Sequence, residues 1–295
     1  MTPAAAGNAF ALATALSWAS AVVLFKKSGE HLDPVDLNTF KSVVALVLLA
    51  ATFPAAGVPF LPAAPTGHLV LLLASGVLGI AIADTLFFQS LSLLGAARSA
   101  IVDCLYAPFV VIASVAWLGE RPSPRALLGG VLVVSAVLLT RAREVSFDLA
   151  PRDLRRGILL GALSMACTAV AIVAVKPLLP GYPVLWTTSV RLLGGALGLL
   201  SFALVRKRGR RTLRLLVPQP AWRVAIPGAV LGNYVALLLW VAGFKYGEAT
   251  SAAILNQTST LFIVVLAAVF LRERFTGWHA LATGLAFVGA AVVVW

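Results

Sequence analysis

Leu37-Asn-Thr-Phe-Lys-Ser-Val-Val-Ala-Leu46 sets a lysine, Lys41, inside a run that otherwise has the composition of a membrane-spanning helix. Trp186-Thr-Thr-Ser-Val-Arg-Leu-Leu-Gly-Gly195 sets Arg191 in a run of the same kind. An ionisable side chain deep in a span costs several kcal/mol unless it is paired or hydrated, and it marks a pathway by default. Whether these runs are spans, and whether they are related, decides the fold.

Composition answers the first question. The chain has 295 residues, 60% hydrophobic and 12% charged, with a mean hydropathy of +0.98. A soluble domain carries about 25% charged residues, so an all-helical polytopic membrane protein is the class that fits. The net charge of +12 comes from basic residues gathered between apolar runs, where they orient a chain against anionic lipid; no aromatic–basic interleaving suggests nucleic acid. A helical span needs about 20 apolar residues. Ten candidates result: 5–25, 35–53, 69–92, 97–118, 125–141, 157–176, 183–205, 224–245, 249–271 and 277–295. Lys26 and Lys27 follow the first run and no basic residue precedes it, so it is expected to be retained rather than cleaved. Cys104 and Cys167 lie within spans and His31, His68 and His279 are scattered, so no disulfide, metal or cofactor is expected. No His-based triad, metal-ligand spacing or glycine-rich phosphate loop points to an enzyme.

The second question is one of internal repetition. Gly7 pairs with Gly157, Ala19 with Ala169, Lys26 with Lys176 and Lys41 with Arg191 at one constant spacing. At a spacing three residues longer, Leu78-Gly79 pairs with Leu231-Gly232, Ala100-Ile101 with Ala253-Ile254, and Leu118-x-Glu120-Arg121 with Leu271-x-Glu273-Arg274. The expected organisation is two five-helix repeats, 1–141 and 157–295, joined by a basic connector at 142–156. Five is odd, so the second unit enters the membrane from the other side. Such inverted repeats are a common construction of secondary transporters, with substrate near the midplane between them.

The Leu-Gly-Glu-Arg and Leu-Arg-Glu-Arg ends of the fourth and ninth spans, the short apolar helix after each, and the basic residue in the second span resemble the EamA-type drug/metabolite transporters over essentially the whole chain. The resemblance implies a multi-pass carrier of the cell (inner) membrane, monomeric or homodimeric, that exports or exchanges small metabolites such as amino acids or other carboxylate-bearing compounds. The alternatives are a non-transporting membrane subunit or, less consistent with the repeat, an intramembrane enzyme.

Orientation is left with two opposed indications. Outside the two intramembrane cations, only Arg121, Arg125, Lys176 and Lys245 of the 23 Lys and Arg fall on one side. The richer side belongs in the cytoplasm, which puts both termini outside. The family's usual arrangement puts them inside.

Four ionisable residues stand deep in spans: Lys41, Asp84, Asp103 and Arg191. Counting residues at 1.5 Å each places the first three about 10–12 Å below the same surface. Lys41 therefore has two carboxylates at its level. It either neutralises one structurally or snorkels to the surface, or it borders the transport cavity, where Asp84 or Asp103 serves as ion-pair partner or proton carrier. Asp84 and Asp103 pair with Leu237 and Asn256 in the second half, so Arg191 has no acid at its expected depth. It either snorkels to the interface or contacts an anionic substrate. Four consecutive polar residues, Asn256-Gln257-Thr258-Ser259, are expensive in a span unless they face water, substrate or each other. Lys41, Arg191, Asn256, Gln257, Tyr106 and Trp186 are the candidate substrate-binding residues. Pro108 is expected to loosen the fourth helix near Tyr106. Glu120-Arg121 is expected to cap or pair rather than meet substrate.

Overall fold

The computed structural model describes residues 2–59, 64–141 and 150–270, with isolated helical positions from 281 onward. Helix starts and stops follow local chemistry. The first helix, α1 (Pro3–Ser28), begins with Thr2 accepting from the Ala5 amide at 3.3 Å and Pro3 in the first turn. In α2 (Pro34–Ala56) Asp33 accepts from the Asp36 amide at 3.1 Å ahead of Pro34, and the helix ends on Gly57 at φ 62°. Proline at the first helical position and a left-handed glycine at the end are the ordinary boundary signals. The third, α3 (Thr66–Leu94), is one continuous rod of 29 residues ending at Gly95, φ 82°. Its middle, Val77–Ala83, is π-helical.

The fourth expected span is two helices, α4 (Ala96–Asp103) and α5 (Tyr106–Leu118), broken at Cys104-Leu105. After α6 (Pro124–Arg141) the second half repeats these features. α7 (Pro151–Val175) runs into a 3-10 turn at Lys176–Gly181; the last residues of the expected connector thus belong to a helix. Then come α8 (Val184–Val205), the short α9 (Gly209–Arg214), and α10 (Trp222–Tyr246), whose middle, Val230–Val235, is again π-helical. The ninth span is again broken: α11 (Ala249–Asn256) and α12 (Ser259–Phe270) flank a turn at Gln257-Thr258. Seven described helices are long and apolar enough to cross a membrane, and Tyr106–Leu118 is a shorter apolar one. The expected tenth span is described only at isolated positions, and Glu273-Arg274 lies outside the described residues.

Packing crosses between the halves. α1 lies along the C-terminal half of α10, and α7 lies along the C-terminal half of α3. The two broken helices cross each other: α4 packs on α12 while α11 packs on α5. α3 and α8 meet backbone to backbone. A Cβ on Gly76 would stand 1.7 Å from the Arg191 carbonyl oxygen, and one on Gly194 would stand 2.2 Å from that of Leu73. Small residues permit this approach. The interior holds the polar side chains, Lys41, Arg191, Asn38 and Thr188 among them, while large apolar ones such as Leu16, Val47, Ile112, Leu159 and Val205 face outward. The rest of the interior is apolar, with Phe25, Phe40 and Phe87 fully buried; an apolar exterior with the polar groups enclosed is what hydrocarbon as solvent demands.

Candidate functional site

The π-helical segments shape the centre of the molecule. A π turn widens the helix and shifts the register of the residues after it, and such turns gather at functional sites. Both contain the repeated Leu-Gly pair. A hydroxyl from the helix that opens the other half caps each one: Ser164 on α7 donates to the Ala83 carbonyl at 2.7 Å, and Ser17 on α1 donates to the Leu231 carbonyl at 2.8 Å. Asn38 on α2 adds bonds to the Ile80 carbonyl at 2.7 Å and the Thr85 hydroxyl at 2.9 Å. The glycines keep the wall thin, so that Gly79 lies against the Arg191 guanidinium and Gly232 against Ala21 and Phe25.

Between these segments and the helix breaks lies a cavity of about 140 Å³. Asp84, Asp103, Tyr106, Arg191, Asn256 and Gln257 all line it. Apolar surface with a few convergent polar groups is the usual make-up of a small-molecule site. Two other expected residues stand behind the wall. Lys41 is fully buried and is not among the residues that line it. Its ammonium lies 2.6 Å from Asp84 Oδ2 and 2.8 Å from Asn233 Oδ1, and both of those residues do reach the cavity. Trp186 is buried against Tyr182, ring centroids 4.8 Å apart.

Arg191 is less remote from acid than depth counting indicates. Its guanidinium reaches Gly79, on the same helix as Asp84, and both side chains face one cavity. The glycine contact between α3 and α8 brings the backbones together, and the long side chain covers the remaining distance. Nε donates to Ser75 Oγ at 2.8 Å; Ser75 in turn donates to the Ala171 carbonyl at 2.7 Å. The guanidinium carbon sits 5.1 Å from the Trp240 ring centre, and Trp240 Nε1 donates to the Tyr106 hydroxyl at 3.2 Å. Nη1 is buried and has no hydrogen-bond partner. The arginine is thus held rigidly by one edge and one face, with a donor left over.

The helix breaks meet at the other polar cluster. Gln257 Nε2 donates to the Asp103 carbonyl at 3.3 Å, and Thr260 Oγ1 donates to the Ala100 carbonyl at 3.3 Å. The second broken helix thereby satisfies carbonyls that the first one's interruption frees. Asp103 Oδ1 and both amide atoms of Asn256 are buried without partners. Pro108 accounts for the first break. The second has no proline; Thr258 Oγ1 bonds back to the Leu255 carbonyl at 2.7 Å, a side-chain competitor for the helical ladder.

Glu120 caps, as expected. Its carboxylate accepts from the amides of Ala249 at 3.0 Å and Thr250 at 3.3 Å and lies 3.5 Å from Lys176 Nζ. It ties the end of α5 to the start of α11. A second ionic cluster joins the start of α2 to the segment after α8, with Arg211 2.6 Å from Asp33 and 2.5 Å from Asp36. The roles of Asn38, Ser75 and Ser164 have no signature in the sequence, because single polar residues in spans are common and only the fold says which carbonyl they meet. Among the described residues no cluster of His, Cys, Asp or Glu has the makings of a metal site.

Comparison with known proteins places this arrangement. An uncharacterized transporter of Archaeoglobus fulgidus is 24% identical over 269 residues, covering 90% of this chain and 89% of its own. A crystal structure superposes with a TM-score of 0.77 over 98% of this chain and 96% of the other, at 22% identity, so the fold is shared. The sequence model of the EamA-like transporter family matches residues 5–142 and again residues 155–295. A multi-pass helical membrane protein so matched from end to end is a membrane transporter, and the chain belongs to the EamA-like transporter family.

Proposed function

We propose that this transporter is a secondary carrier that exports small carboxylate-bearing metabolites by alternating access, with the guanidinium of Arg191 as the substrate's anion contact. Arg191 is buried, positioned by Ser75 and Trp240, and faces a cavity. A guanidinium cannot shed its charge and offers a planar set of donors matched to a carboxylate. Tyr106 and Trp240 supply adjoining aromatic surface, and Asn256 and Gln257 supply amides.

The two halves are read as inverted repeats, 1–141 and 157–295. The repeated π segments, the repeated breaks and the reciprocal packing of α1 on α10 and α7 on α3 support that symmetry. Lys41 acts from behind the wall. It neutralises Asp84 and, through Asn233, ties that carboxylate to the second half. Counting crossings puts the Glu120–Lys176 and Asp33–Asp36–Arg211 clusters at opposite mouths of the cavity, where they are suited to close one mouth while the other opens. The basic face lies in the cytoplasm of the cell (inner) membrane.

The test is exchange by the purified protein in liposomes preloaded with a panel of small carboxylates, each run beside its methyl ester. Exchange of at least one acid but not its ester is expected. Exchange of esters as fast as acids, or of nothing in the panel, contradicts the proposal.

A further inference from the structure

We propose that the crossing of the two broken helices is a binding site for a small monovalent cation, sodium or a proton, formed by Asp103 with Asn256 and Gln257, and that this cation is the carrier's coupling ion. The inference rests on the carrier function above and adds what drives it. It starts from a carboxylate without a paired cation. Four of the described residues lining the cavity are ionisable: Asp84, Asp103, Tyr106 and Arg191. Asp84 has Lys41 at 2.6 Å. Arg191 is anchored to Ser75 and stacked on Trp240. Tyr106 accepts from Trp240. Asp103 takes part in no described ion pair, and its Oδ1 is buried with no hydrogen-bond partner. Its nearest titratable neighbour in sequence, Cys104, bonds to the Ala100 carbonyl at 3.4 Å, and Arg98 lies more than a turn back along α4.

A bare carboxylate in a membrane interior is costly; it takes up a proton or is matched by a cation. The surroundings supply neutral oxygens rather than a positive side chain. Asn256 is 9% exposed, lines the cavity, and has an amide with both atoms unpartnered. Gln257 is bonded to the backbone of Asp103 itself and lines the same space. Asp103 and Asn256 are the last residues of α4 and α11, so two half-helices end at the crossing with their partially negative carbonyl ends. The helices that restart a few residues later bring the opposite partial charge, so the dipoles alone decide nothing; the carboxylate does. One full negative charge with amide oxygens suits a single positive charge, whereas a divalent ion would leave a net charge in a low-dielectric site. Interrupted helices whose freed ends and polar side chains hold a coupling ion are a general device of secondary carriers.

Either ion needs the Asp103 carboxylate, and the two are separable without knowing the substrate. Proteoliposomes adsorbed on a solid-supported membrane are given a jump from choline to sodium chloride at fixed pH, or a pH jump in choline, with no substrate present. The wild-type protein is expected to give a transient charge displacement for one of the two jumps. A sodium response identifies sodium; a response to pH alone identifies the proton. Asp103→Asn is expected to abolish it, Asp103→Glu to keep it at a shifted half-saturation, and Asn256→Ala to weaken a sodium response. No transient from the wild type with either jump, or an undiminished one in folded Asp103→Asn, overturns the site. If Asp103→Asn does not purify as a monodisperse protein, an unaltered response in Asp103→Glu and Asn256→Ala does so instead. Carboxylate exchange without any cation transient sinks this inference and leaves the carrier standing; a transient lost in Asp103→Asn without exchange of any acid does the reverse.

Discussion

Lys41 Nζ lies 2.6 Å from Asp84 Oδ2, and the same ammonium lies 2.8 Å from Asn233 of the second half. A buried pair of this kind has two consequences. Removing one partner leaves an uncompensated charge, which costs about 3–5 kcal/mol; replacing both by apolar groups of similar volume is often neutral. Asp84 has a fifth of its side chain open to the cavity, so hydration softens the loss and the lower end, about 3 kcal/mol, applies.

Lys41→Met alone and Asp84→Leu alone are each expected to lower the thermal midpoint in detergent, and the double variant to recover most of the loss. Leu is the residue the second half carries in the place of Asp84. The same double variant is expected to transport poorly despite its stability, because the link to Asn233 is gone. A double variant no more stable than the singles would show that the pair is not the relevant coupling.

The α3–α8 contact makes a sharper structural test. A Cβ on Gly76 meets the Arg191 carbonyl at 1.7 Å, a backbone atom that cannot rotate away. Gly76→Ala is expected to force the helices apart, move Arg191 and reduce the monodisperse yield severely. Gly67, on the same helix, has nothing within 4 Å of an added Cβ. Gly67→Ala is expected to be neutral or to gain up to about 1 kcal/mol from helix propensity. Size-exclusion profiles of the two side by side check this.

Asn38 tests the π segment. It donates to the Ile80 carbonyl and to Thr85, on either side of the end of the register shift that precedes Asp84. Asn38→Leu removes these bonds and is expected to cost about 1–2 kcal/mol. Thermal midpoints measure the loss, and a midpoint equal to the wild type's would mean the wide turn does not need its cap.

Glu120 tests the mouth. Glu120→Ala removes the acceptor for two amides at the start of α11 and is expected to cost about 1–2 kcal/mol, as for other helix caps. Glu120→Gln keeps an acceptor oxygen, loses the charge facing Lys176, and should fall between. Hydrogen exchange of the Ala249 and Thr250 amides reads the effect locally. Their protection is expected to drop in Glu120→Ala while that of α2 is unchanged.

Much of this molecule can be read from its residues. Apolar runs set the helix positions, and the repeated Leu-Gly and Lys/Arg pairs fall at matching places on α3 and α10 and on α2 and α8. Depth counting puts both Asp84 and Asp103 at the level of Lys41, and the structure pairs the lysine with Asp84. The features that counting misses depend on backbone register. No residue type marks a π turn, so the displacement at Val77–Ala83, the bonds of Asn38 and the reach of Arg191 towards Gly79 are invisible in the sequence. The break at Gln257-Thr258 carries no proline and is made by polar side chains competing with the ladder; their cost in a span is legible, their effect on the helix is not. Lys41 and Trp186 are legible as candidate binding residues, but not as residues behind the wall, because facing a cavity depends on how neighbouring helices rotate.

The central claim is that Arg191 holds the substrate's carboxylate, and exchange in proteoliposomes measures it most directly. Arg191→Ala and Arg191→Lys are compared with the wild type on a carboxylate the wild type exchanges, with folding checked by thermal midpoint. Hydrogen bonds to a charged group are worth about 1.5–3 kcal/mol. Exchange at subsaturating substrate should therefore fall about 10- to 100-fold in Arg191→Ala, with only partial recovery in Arg191→Lys, which keeps the charge but not the planar donors. A folded Arg191→Ala protein that exchanges the same acid at the wild-type rate contradicts the account.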